Sequence, residues 1–218
     1  MRNRLKMYKR LILVLAISML IFSLAGCGRE DQGSAEVNEE SAVDDSAADS
    51  ASTSADSAAA VQTGLREEGE YDYKPAELAC SLPKGFVASS SEEGMYLHKS
   101  YPKDLSAISY DISDTTEDIT KMTMDEYKNI IEEDFLTTYG DAVAVNISTY
   151  ENIILDHRNG LKIKMSYNFK DTDYEQLTFL FFNGTEIHNL TFTQEGDHDW
   201  MEEFESCAAN LHFVEMGN

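Results

Sequence analysis

The stretch LKIKMSYNFKDTDYEQLTFLFFNGTEIHNLTFT, residues 161–193, decides the architecture of this chain. Leu161, Ile163, Met165 and Tyr167 alternate with outward-facing residues such as Lys162 and Lys164. A two-residue period of this kind buries one side of a strand and leaves the other in water. Lys170-Asp171-Thr172-Asp173 supplies a turn, YEQLTFLFF a second strand, and Asn183-Gly184 the pair favoured in a two-residue hairpin leading into TEIHNLTFT. Just upstream, VAVNIST and YENIILDH read as further strands, joined to the meander by a turn at Arg158-Asn159-Gly160.

The flanks of the meander are helical. Thr123 and Glu126 form a T-x-x-E capping box, Tyr127, Ile130, Ile131, Phe135 and Tyr139 recur at three- and four-residue spacing, and Gly140 supplies the stop. Downstream, DWMEEFESCAANL places Trp200, Phe204, Cys207 and Leu211 on one helical face, with Asp199 as N-cap and Glu202 at N3. Before the first helix come LACSLPKGFVASS, with Leu78, Cys80 and Leu82 alternating to one side and a turn at Pro83-Lys84-Gly85, and then the short strands MYLHKS and LSAISYDIS, divided at Pro102. The order is strands, helix, antiparallel strands, helix. It predicts an α+β fold over residues 73–218, a twisted antiparallel sheet packed by two main helices, and that length is ample for one core.

This order, opened by SLPKGF and closed by Phe204, Leu211 and Phe213 in the pattern F-x-x-x-x-x-x-L-x-F, resembles the PsbP-like domain. That family includes the extrinsic PsbP subunit of the oxygen-evolving complex and bacterial lipoproteins of the DcrB kind. The resemblance implies an α/β/α sandwich with binding or assembly roles and no enzymatic activity, and it carries over no catalytic residue. Other α+β sandwiches, cystatin-like or NTF2-like, are the alternatives.

Residues 1–26 read as an export signal. Arg2, Arg4, Lys6, Lys9 and Arg10 precede an apolar run from Leu11 to Leu24, broken only by Ser18 and Ser23. Its roughly 14 residues fall short of the ~20 needed to span a bilayer. Leu24-Ala25-Gly26-Cys27 resembles the lipobox of bacterial lipoproteins. That likeness implies a diacylglyceryl group on Cys27, cleavage before it, and attachment of the chain to the outer face of the cell membrane. Two acyl chains hold a protein stably where one does not. Residues 27–72 then form a Ser/Ala/Asp-rich linker such as SAVDDSAADSASTSADSAAAVQT, too poor in large apolar side chains to fold. From Glu30 to Asp72, about 43 residues, such a chain spans roughly 36 Å.

The composition bounds the remaining possibilities. With 17 Lys and Arg against 40 Asp and Glu, the formal net charge is −23, and loss of the five cations of residues 1–26 makes the remainder more acidic still. A nucleic-acid partner, which wants a basic face, is excluded. Cys80 and Cys207, the thiols left once Cys27 is acylated, are either a disulfide of an exported protein or two separate buried thiols. QEGDHDW gathers Glu195, Asp197, His198 and Asp199, but His98, His157, His188, His198 and His212 show no metal-ligand spacing, so neither a metal nor a cofactor is expected. No G-x-S-x-G, P-loop or dinucleotide fingerprint occurs, and no catalytic residue is assigned. The expectation is a membrane-anchored, non-enzymatic module that docks onto another exported or envelope protein; a surface binder of a small ligand or cation is the alternative.

Overall fold

In a computed structural model, residues 76–115 and 117–216 are described, together with the backbone of Gln62 and Thr63. Cys27, the signal and most of the linker lie outside the described residues. The meander comprises β6 (Asn146–Leu155), β7 (Arg158–Phe169), β8 (Thr172–Phe182) and β9 (Glu186–Glu195), all antiparallel. β1 (Gln62–Thr63) pairs with β6 at one end, inside the segment expected to be linker. At the other end β9 pairs with β5 (Ala107–Asp114), then β4 (Met95–His98), then β3 (Phe86–Ala88). The result is one eight-stranded sheet in the order β1-β6-β7-β8-β9-β5-β4-β3.

The alternation seen in the sequence sorts side chains onto two faces. In β8, Leu180 joins one core cluster and Leu177, Phe179 and Phe181 the other. The first cluster contains Leu161, Ile163, Met165 and Tyr167 and is covered by α1 (Met124–Tyr139) through Tyr127, Ile130, Ile131 and Phe135. The second contains Leu190 and Phe192 and is covered by α2 (Met201–Ala208) through Met201, Phe204, Cys207 and Ala208. A sheet with a helix on each face is the α+β architecture that the element order predicts.

Several local expectations need correcting. The closing helix ends at Ala208, and the chain then forms β10 (His212–Glu215), which pairs with β2 (Ala76–Ala79) as a separate two-stranded ribbon. Leu211 and Phe213 are therefore beyond the helix, although both join the second core cluster. Leu82 does not continue the inward row of Leu78; it lies past β2 and is 39% exposed. VAVNIST and YENIILDH are not two strands, because a register shift between Ile147 and Thr149 lets β6 run on through both. The turn into β7 is Asp156-His157, with φ of 46° and 69°, and not Arg158-Asn159-Gly160, which already pairs with β6. In the β8–β9 hairpin the Asn183 N–H donates to Glu186 O at 2.9 Å, so Gly184-Thr185 occupies the tip, one residue later than expected. Gly184 adopts φ 77° there, a conformation a side chain resists.

Candidate functional site

The segment between β4 and β5 returns Asp104 to the side of His98. It contains a cis Tyr101-Pro102 peptide, with Tyr101 N–H donating to His98 O and Lys103 N–H to Ser100 O. Asp104 is buried, and its carboxylate is the centre of a polar cluster. Oδ1 accepts from Ser106 N at 2.9 Å, and Oδ2 accepts from Trp200 Nε1 at 3.1 Å. His98 Nδ1 lies 3.1 Å from Oδ2, and His198 Nε2 lies 3.3 Å from Oδ1. Glu195 closes the cluster; its Oε2 accepts from Leu105 N at 2.8 Å, while its own N–H donates to Ser106 Oγ. One ligand-type atom from each of Asp104, Glu195 and His198 comes within 4.8 Å of the others. Burial pushes the Asp104 carboxyl up, but the bonds from Ser106 and Trp200 and the nearby His198 outweigh it, and its pKa ends below the usual value.

Aromatic packing fixes this cluster at the β3 end of the sheet. Phe86 of β3 faces His98 across the β3–β4 pair, and the Trp200 ring sits 5.3 Å from Phe86 and 4.8 Å from His98 between centroids. Trp200 is held by Gln194, whose Oε1 accepts from Trp200 N at 2.7 Å and Met201 N at 2.9 Å. That side chain caps α2 in place of Asp199, which is exposed; Trp200 is the N-cap residue and makes no side-chain cap bond. Beside the cluster the sheet simply ends. β3 has a partner on one side only among the described residues, and Val87 there is 55% exposed.

The QEGDHDW loop thus contributes Glu195 and His198, whereas Asp197 and Asp199 are exposed and outside the group. Sequence reading missed Asp104 and His98 because they lie about 90 residues upstream; only the β5–β9 pairing brings them to the loop. Cys80 and Cys207 are both free thiols, Cys207 buried and Cys80 half-buried. Burial first, and the neighbouring Cys207 second, push the Cys80 thiol up to about 11.

A second polar network sits where the ribbon meets the sheet. Leu78 N–H donates to the Tyr110 hydroxyl, which lies 2.8 Å from Nδ1 of the fully buried His188. Phe213 packs edge-on against His188 and lies under the Arg158 guanidinium at 4.2 Å. Burial and the Arg158 charge lower His188 to about 4, so it is neutral at pH 7 and serves to pin β2 and β10 in place.

The fold and sites together define a helix–sheet–helix α+β domain with an open sheet edge and an adjoining carboxylate–imidazole cluster. Among the described residues no helix is long and apolar enough to cross a membrane. No protein-family model matches this chain, and no curated protein does. Among solved structures it is similar to cyanobacterial PsbP (CyanoP) from Synechocystis sp. PCC 6803, at 12% identity and a TM-score of 0.48, covering 75% of this chain and 98% of that one. It is also similar to LpqN, involved in cell envelope biogenesis of Mycobacterium tuberculosis, at 13% identity and a TM-score of 0.41, covering 71% of this chain and 91% of that one. Neither likeness assigns a site, and the α+β assignment rests on the strand order and the two packed faces.

Proposed function

We propose that this protein is a lipid-anchored extracytoplasmic module, without enzymatic activity, whose folded domain docks onto another exported or envelope protein. The observation that carries the docking role is the open β3 edge, where Phe86–Ala88 lacks an outer strand among the described residues, the Phe86 N–H alone being taken up by Pro83 O, and Val87 is exposed. An unpaired edge offers backbone N–H and C=O groups to an extended segment of another chain, and a flanking apolar side chain adds selectivity. Three residues of edge accommodate a short segment, so the partner engages by a brief strand addition. Lipidation of Cys27 is supported by the Leu24-Ala25-Gly26-Cys27 motif after a short apolar run.

The test is in-cell photo-crosslinking of the full-length chain, with the crosslinker placed at Val87 and, as a control, at Leu136, which is 53% exposed on α1. A recurrent envelope protein joined through Val87 and not through Leu136 is the expected result. An equal pattern from both positions removes the edge from the interface. The anchor is tested separately by palmitate labelling, which Cys27→Ala should abolish.

A further inference from the structure

We propose that Asp104, Glu195 and His198, backed by His98, form a binding site for a divalent transition cation of the zinc class. The three ligand atoms already lie within 4.8 Å of one another, and they come from the β4–β5 connection, the end of β9 and the loop before α2. Around a tetrahedral ion with bonds of about 2.0–2.1 Å, neighbouring ligand atoms are about 3.3 Å apart. His198 Nε2 and Asp104 Oδ1 are separated by 3.3 Å. The carboxylates are pre-aimed as ligands of such an ion usually are, Asp104 by Ser106 N and Trp200 Nε1, Glu195 by Leu105 N.

His98 supplies the independent sign that something is to be bound. It is 9% exposed, and its Nδ1 has no hydrogen-bond partner although it sits 3.1 Å from Asp104 Oδ2. A buried ring nitrogen left without a hydrogen-bond partner is costly. A cation on Asp104 would draw off the carboxylate charge that faces this nitrogen, with His98 standing behind Asp104 Oδ2 and outside the three ligand atoms. The same ion relieves the repulsion between Asp104 and Glu195. His198, whose side chain is 42% exposed, provides the path from solvent. One imidazole and two carboxylates without a thiolate suit zinc-class ions, whereas calcium takes six to eight oxygens and magnesium prefers oxygens and water.

Trp200 makes the proposal measurable, because it is the one tryptophan in the chain and its indole N–H bonds Asp104. The full-length chain, untagged and in detergent micelles, is titrated with Zn²⁺ against a chromophoric chelator while Trp200 emission is recorded. The expected result is one saturable ion per chain with a change in emission, and no displacement by equimolar Ca²⁺. His198→Ala and Glu195→Gln, at positions that reach solvent, should each weaken binding at least ~10-fold while the circular dichroism stays that of the parent, and Asp197→Asn should leave it unchanged. Zinc affinity unaltered in His198→Ala and Glu195→Gln overturns the site. So does zinc binding without a response from Trp200, or calcium competing on equal terms.

Discussion

Gly160 illustrates what single residues decide here. A Cβ at that position would meet Leu180 O at 2.4 Å and the Phe181 ring at 2.6 Å across the β7–β8 pair. Gly160→Ala is expected to cost about 2–3 kcal/mol, read as a shift of the urea midpoint at unchanged slope. The sequence suggests a turn at this glycine, but the reason for it is a cross-strand contact, which no local pattern contains. Asp111 and His188 contribute opposite pH dependences. Burial raises Asp111 to about 6, against hydrogen bonds from Asn189 and Ser113. Its folded pKa exceeds the unfolded value of about 3.9, so the stability it contributes is present below that value and lost as pH rises through about 6. His188 runs the other way. Lowered to about 4 from an unfolded value of about 6.5, it contributes stability above pH 6.5 that is lost as pH falls towards 4. The two slopes oppose each other between about pH 4 and 6.5. Asp111→Asn should therefore leave the parent's stability unchanged near pH 4, exceed it at pH 7, and rise more steeply between. Parallel urea-denaturation profiles for the two proteins across this range would show that Asp111 does not titrate as described.

At the level of elements, legibility followed locality. α1 could be read from the sequence because its signals lie within the helix or next to it: Thr123 Oγ1 accepts from Glu126 N at 3.3 Å, Glu126 Oε2 accepts from Thr123 N at 2.9 Å, and Gly140 ends it in a left-handed conformation. Thr123→Ala should cost about 1 kcal/mol in chemical denaturation, since it strips a first-turn N–H of its acceptor. The sequence misplaces both ends of α2 for the opposite reason. Its cap comes from Gln194, six residues before Trp200 and still part of β9, and its last apolar residues belong to a connection and a strand. Gln194→Ala leaves two buried or half-buried N–H groups without their acceptor and should destabilise by about 1–2 kcal/mol, with a change in Trp200 emission that Thr123→Ala lacks. The strands of the meander were visible through their two-residue period. The β2–β10 ribbon was not, because four-residue strands at opposite ends of the domain share no local signal and meet only through tertiary pairing. The same limit applies to the cluster around Asp104: Glu195 and His198 stand in QEGDHDW, and Asp104 in a loop about 90 residues upstream.

For the whole molecule, a count of thiols joins the fold to the anchor. The chain has three cysteines, and Cys80 and Cys207 are free in the structure. If Cys27 carries the proposed lipid, alkylation of the membrane-extracted protein in denaturant, without reductant, should label two thiols, Cys80 and Cys207. A third label would remove the acyl group from Cys27, and loss of both core labels would show that an exported pool closes Cys80 to Cys207. In the native state at pH 8 Cys80 should react slowly, because a thiol raised to about 11 holds little thiolate there. The short pairing of Gln62–Thr63 with β6 gives the molecule a direction. It fastens the incoming chain to one rim of the sheet, and β3 forms the opposite rim. Seven inter-strand steps of about 4.8 Å separate the two by about 34 Å. On the proposed lipid anchor, the leash arrives at the near rim, while the unpaired rim and the neighbouring carboxylate–imidazole cluster stand at the far end of the sheet like the head of a probe.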